Sequence, residues 1–180
     1  MMKSYQYDIY RYYGRNKETF RQRLARPVCL KYIVLYRKCR ACNNSLVQVF
    51  YRYRLQRLAN KTSIQIPYVT EIGKGFYISH FGSVIINPNV VIGENCNIAS
   101  GVVIGQENRG KRKGVPTIGS SVWIGSNAVV VGNIRIGNDV LIAPLTYCNF
   151  DVPDHSIVIG NPGKVIPKEN ATDMYINRKV

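Results

Sequence analysis

From residue 66 onward, aliphatic side chains recur every six positions. They fall at Ile66, Ile72, Ile78 and Val84, then, after a two-residue slip, at Ile92, Ile98 and Ile104, and again at Ile118, Ile124, Val130, Ile136 and Ile142. Six is not a multiple of 3.6, so an α-helix would scatter these residues, whereas short strands joined by tight corners can point each one inward. Gly follows the aliphatic residue at positions 73, 93, 105, 119, 125 and 137, and Asn87, Asn95, Asn127, Asn133 and Asn138 lie nearby. Both residue types suit corners where φ is positive. Each coil can bury its aliphatics only against its neighbours, so such a fold is stable only as a stack. The pattern predicts a mainly β chain: a parallel β-helix over 63–167, interrupted by a loop at 106–116 and followed by a tail at 168–180.

Upstream the period changes. Leu46, Val49, Phe50 and Tyr53 stand at i, i+3, i+4 and i+7, and Asn43-Asn44-Ser45 marks a turn, so 28–60 reads as two helices within a helical segment 1–62. Charge divides at the same place. Residues 1–61 hold fifteen Lys or Arg against Asp8 and Glu18, a net +13, while 62–180 hold ten against eight, a net +2. Two readings of the basic segment stay open: a helical cap on the first coil with solvated charges, or a surface that lies on an anionic membrane leaflet. No nucleic-acid reader fold accompanies the charge, so a nucleic-acid partner is not expected. No apolar run approaches the roughly 20 residues of a membrane span, and the tyrosine-rich start does not resemble a signal peptide. The expected location is cytoplasmic, with a peripheral position at the inner face of the plasma membrane as the variant. Five cysteines form no disulfide framework, and Cys39-x-x-Cys42 lacks a second ligand pair, so no metal is expected.

Chemistry is sought where the ladder breaks. The break Gln106–Pro116 carries Arg109, Lys111, Arg112 and Lys113, with Gly110 and Gly114 leaving it flexible; it is either a solvated loop or a cationic arm for a phosphate or other anion. Histidine occurs only at positions 80 and 155. Imidazole suits a general base because its ordinary pKa lies near neutrality. His80 sits just before the slip, and His155 in a stretch leading out of the ladder, where a surface or turn role is expected.

The ladder, the segment Ile72-Gly-Lys-Gly-Phe-Tyr-Ile-Ser-His80 and the closing Gly160-Asn-Pro-Gly-Lys164 together resemble the hexapeptide-repeat acetyltransferases, in particular the serine-acetyltransferase-like branch. The resemblance spans about 63–167. It implies a left-handed helix, a homotrimer or a dimer of trimers with sites between subunits, and acetyl-CoA as co-substrate. On it, His80 is the catalytic base, the 106–116 loop folds over the site, and Gly105, Gly119, Gly125, Ala143, Gly160, Pro162 and Lys164 lie beside CoA. Ser79, Arg109 and Lys113 are assigned to the substrate.

Three departures bear on the acceptor. The family places Asp before the catalytic histidine, where this chain has Ser79; it places an Arg-His pair before Pro-x-Ile, where this chain has Gly114-Val115; and its histidine-orienting carboxylate aligns with Gln65. Gln65, with Glu71 as a substitute, would then orient His80. Loss of both charged halves of a serine pocket predicts O-acetylation of a sugar hydroxyl in a surface or capsular polysaccharide. Serine O-acetylation for cysteine biosynthesis and a non-catalytic β-helix scaffold are the alternatives.

Overall fold

The structure, a computed structural model, describes residues 2–180. Four helices lead the chain: α1 (Ser4–Tyr13), α2 (Phe20–Leu24), α3 (Val28–Arg40) and α4 (Ser45–Thr62). The Asn44 side chain accepts from the Val47 amide and starts α4, so the Asn43–Ser45 turn stands where the sequence places it. Fifteen short strands follow and stack into three parallel sheets. The first sheet joins β1 (Ile64–Gln65), β4 (Val84–Ile86), β7 (Val103–Gly105), β10 (Val129–Val131) and β13 (Tyr147–Cys148). The second joins β2 (Glu71–Ile72), β5 (Val91–Ile92), β8 (Thr117–Ile118) and β11 (Arg135–Ile136). The third joins β3 (Tyr77–Ile78), β6 (Asn97–Ile98), β9 (Val122–Ile124), β12 (Val140–Ile142) and β14 (Ser156–Ile159), and β15 (Lys164–Pro167) closes it antiparallel. The result is a left-handed parallel β-helix of about five coils behind an N-terminal helical segment.

Every aliphatic residue of the ladder is buried, from Ile66 to Ile142. The slip, however, lies one rung earlier than the spacing suggests. Ile78 pairs with Ile98, twenty positions on, whereas Ile86 pairs with Ile104, eighteen on. The two extra residues therefore sit between Ile78 and Ile86, in the corner that carries His80. Val84 is six residues after Ile78 and continues the periodicity by coincidence; it stands beside Ile64, and Ile86 is the true rung.

Between the second and third sheets the corners are stacked glycines. A Cβ on Gly93 would come within 2.6 Å of the Gly119 backbone, and one on Gly73 within 2.6 Å of the Gly93 backbone. Backbone cannot retreat as a flexible side chain can, so Gly93→Ala should cost about 1–3 kcal/mol, read as a lowered midpoint in urea unfolding with an unchanged slope.

The first coil would expose open strand edges, and the helices close them. The Tyr12 phenol donates to the Ile78 carbonyl at 2.7 Å and accepts from its amide at 3.3 Å; Tyr32 does the same for Ile66 at 3.1 Å in each direction. Arg11 donates to the Gly75 carbonyl, and Arg37 to those of Ile72 and Gly73. Arg37 also donates from Nε to Asp8 at 2.9 Å, both side chains being buried, and Asp8 accepts from the Phe76 amide at 2.8 Å. Part of the cationic, tyrosine-rich composition is thus a built cap on the β-helix. The stripe Leu46, Val49, Phe50 and Tyr53 is not part of it. These residues are 54–82% exposed, while α4 packs inward through Leu55, Ala59 and Thr62.

Candidate active site

Three columns of corners separate the three sheets, and the expected site residues divide among them. Ser79 and His80 lie in the corner from the third sheet to the first, widened by the two inserted residues. Gly125, Ala143 and Gly160 occupy the same corner in the third, fourth and fifth coils, as the strand order places them. The turn Gly160–Gly163 joins β14 to β15, and its Gly163 amide donates to the Tyr147 carbonyl at 3.0 Å. Pro162 is exposed there, as is Lys164 at the start of β15. At a strand spacing of about 4.8 Å, the column from His80 to Pro162 runs for roughly 19 Å. His80 is exposed and Ser79 half-buried, with Phe81 65% exposed beside them.

Gln65 is exposed in β1 and lies in the first coil with His80, where the Val84 amide at the end of the widened corner donates to the Ser63 carbonyl. Among the described residues no hydrogen bond joins Gln65 to His80. Gln65 instead lines a cleft of about 600 Å3 between α4 and the first coil, with Arg52, Asn60 and Tyr68. Glu71 lies in the second sheet, 3.5 Å from Arg40, on another face from His80.

Gly105, Arg109 and Lys113 belong to a different column, between the first and second sheets. The excursion is not the flexible loop its glycines suggest. It folds as a small hairpin, with Glu107 and Gly114 exchanging both backbone hydrogen bonds at 3.0 Å, and the Asn133 amide ties it to the next coil by donating to the Arg112 carbonyl at 2.8 Å. Arg109 and Lys113 are exposed on it. Gly119 stands in the third column, within the glycine stack, where its α-carbon packs against Gly137. Within one chain, then, the histidine corner and the cationic hairpin face different ways.

His155 has a structural task. Its Nδ1 is 2.9 Å from Asp139 Oδ2, and Asp139 also accepts from the Ala171 and Thr172 amides and the Thr172 hydroxyl. The tail continues from that anchor: Tyr175 packs on Trp123 at 4.9 Å, Asn97 donates to the Tyr175 carbonyl, Arg11 to that of Asn177, and Asn95 pairs with the Val180 backbone. None of these ties is legible locally, because each joins residues far apart in sequence. The hydrogen bond to Asp139 raises the His155 pKa. Asp139 is pushed up by burial but brought lower on balance by its bonds to Thr172 and His155. The histidine contribution is therefore complete below its unfolded pKa of about 6.5 and is lost as pH rises through the higher folded value. Hydrogen exchange at the Thr172 amide should accelerate beyond the intrinsic rate as pH climbs through that window, and His155→Gln should remove the extra dependence.

Known proteins bear on this arrangement in three ways. Residues 116–149 match the family model described as bacterial transferase hexapeptide (six repeats). Serine acetyltransferase of Bacillus pumilus is 33% identical over 129 residues, which are 67% of this chain and 59% of that protein. Serine acetyltransferase of Neisseria gonorrhoeae, solved in complex with serine, superposes with a TM-score of 0.75 at 26% identity, covering 91% of this chain and 68% of that one. The Brucella abortus serine acetyltransferase, solved with coenzyme A, has a TM-score of 0.75 at 20% identity over 93% of this chain and 67% of that one, and speaks to the fold. This chain spans about half the length of the curated relatives it matches.

These relatives overturn the expectation of a sugar or polysaccharide acceptor, since they are serine acetyltransferases. The sugar reading rested on the missing charges at Ser79 and Gly114-Val115. Uncharged residues there remove one way of holding a zwitterion, which is different from selecting a saccharide.

Proposed function

We propose, for a chain that belongs to the hexapeptide-repeat transferase family, that it transfers the acetyl group of acetyl-CoA to the hydroxyl of serine. The observation that carries this is His80: an imidazole presented at a widened corner, at the head of the column formed by Gly125, Ala143 and Gly160. In this reading the serine hydroxyl oxygen attacks the thioester carbonyl carbon while His80 takes the hydroxyl proton. Collapse of the tetrahedral intermediate breaks the carbon–sulfur bond, and the imidazolium returns the proton to the departing CoA thiolate. Backbone N–H groups of the adjoining coil stabilise the oxyanion.

Gly125 and Ala143 keep the corners low enough for the pantetheine chain to lie along them, and Lys164 supplies a cation for a phosphate. Gln65 positions the His80 side of the pocket. The cationic hairpin with Arg109 and Lys113 faces another column in its own chain, so it reaches a histidine corner only from a neighbouring copy. That supports a homotrimer with sites between subunits, in which Gly105 and Gly119 act in the scaffold. A peripheral position at an anionic membrane face belongs to the same reading and draws on the charge of the helical cap.

One assay tests the central claim. Purified protein with acetyl-CoA and serine should release free CoA thiol and yield O-acetylserine by mass spectrometry. Release of thiol that does not depend on serine would refute it.

A further inference from the structure

The outer surface of the helical cap carries a groove of about 700 Å3 between α3 and α4. Lys31, Lys38, Arg54, Arg57 and Lys61 line it, no carboxylate does among the described residues, and Arg26 at its margin is already paired with Glu18. Burial pushes the Lys38 ammonium below its ordinary pKa, and the neighbouring charges of Arg26, Arg23, Lys3 and Arg54 push it further. Positive potential is therefore concentrated here beyond what the cap needs, since its edge-closing bonds are made by Arg11, Arg37 and the tyrosines.

Beside the groove runs the exposed stripe of α4. Leu46 is 82% exposed, Val49 59%, Phe50 54% and Tyr53 60%. Arg54 stands 5.7 Å from the Phe50 ring centre and Arg57 6.0 Å from that of Tyr53, so cations flank the apolar side chains. An exposed apolar stripe bordered by basic residues is an interaction surface. A two-fold contact with a second copy of this chain is a poor fit, because apposing two such faces brings like charges together. An anionic lipid leaflet fits both features: hydrocarbon at the headgroup boundary receives the apolar side chains, and lipid phosphates meet the cations.

We propose that the stripe of α4, with the α3–α4 groove beside it, docks this protein onto an anionic membrane surface. This names the surface for the peripheral location above and rests on that part of the reading, not on acetyl transfer. Leu46, Val49 and Phe50 enter the headgroup region while α4 lies flat, and Arg54, Arg57 and Lys61 hold phosphates.

The test is co-sedimentation of the full chain with vesicles of phosphatidylcholine alone and of phosphatidylcholine mixed with phosphatidylglycerol. Binding to the mixed vesicles should be about tenfold stronger or more, and should weaken as added salt shortens the screening length. The double substitution Val49→Ser with Phe50→Ser keeps every charge and lies on solvent-exposed positions; it should lose about tenfold of that binding, with an unchanged thermal melt. Equal binding to both vesicle types would overturn the proposal, as would undiminished binding of the double variant. So would tighter binding to an oligonucleotide duplex than to vesicles, or a light-scattering mass that falls in the double variant, which would make the stripe an interface between copies. Vesicle binding is read without acetyl-CoA, so its failure and the failure of the serine assay are separate results.

Discussion

His80→Ala should lower kcat for serine acetylation by roughly 10²–10⁴, the range supplied by a positioned general base. The corner is solvent-exposed and wider by two residues than its counterparts, so truncating the imidazole removes no packing and the thermal melt should not move. Binding of acetyl-CoA, measured by calorimetry, should persist, because the residues proposed to lie along CoA are in later coils. Turnover of the variant equal to that of the native chain would remove His80 from the mechanism. A Gln65→Ala variant separates positioning from chemistry: if Gln65 orients the imidazole, kcat falls while the pH profile keeps its shape.

Arg37→Ala should produce the largest loss of stability. It strands the buried Asp8 carboxylate and leaves the carbonyls of Ile72 and Gly73 without their partner. Removing one member of a buried pair costs about 3–5 kcal/mol. For a chain of this size that corresponds to a Tm lower by roughly 6–20 °C. Replacing Asp8 and Arg37 together by apolar residues should recover part of the loss, since no lone buried charge remains; a double variant as unstable as Arg37→Ala would show that the carbonyl contacts dominate. Differential scanning calorimetry distinguishes the two.

How far the sequence reveals the molecule depends on the range of the interaction. The ladder is legible because each coil repeats the same local problem, an aliphatic side chain facing inward and a residue tolerant of a tight corner, every six positions. Its one misreading is instructive: Val84 is aliphatic and falls in step, so periodicity alone puts the slip after it, while the pairing of Ile86 with Ile104 puts it before. The stripe on α4 is a second case. Spacing at 3.6 shows that Leu46, Val49, Phe50 and Tyr53 share a face, but says nothing about what that face meets. The cap is illegible for another reason. Tyr12 reaches Ile78 across 66 positions and Arg37 reaches Ile72 across 35, and nothing local marks a buried arginine as different from a solvated one. At the site, the histidine and the closing turn announce themselves by rarity and motif. That the hairpin faces another column follows only from the register of the coils, and the relatives are serine acetyltransferases where the departures at Ser79, Gly114-Val115 and Gln65 pointed to a sugar.

The tail, finally, acts as a ruler. Its anchors are Asp139 in the fourth coil, Trp123 in the third, and Asn97 and Asn95 in the second, with Arg11 of the cap at its far end. A solenoid is in principle indifferent to length, since an 18-residue coil can be added without disturbing its neighbours. Here one added coil would move the anchors apart by about 4.8 Å, more than one extended residue covers. Coil number and tail length can therefore change only together, which ties the length of the helix to a segment that contributes no coil.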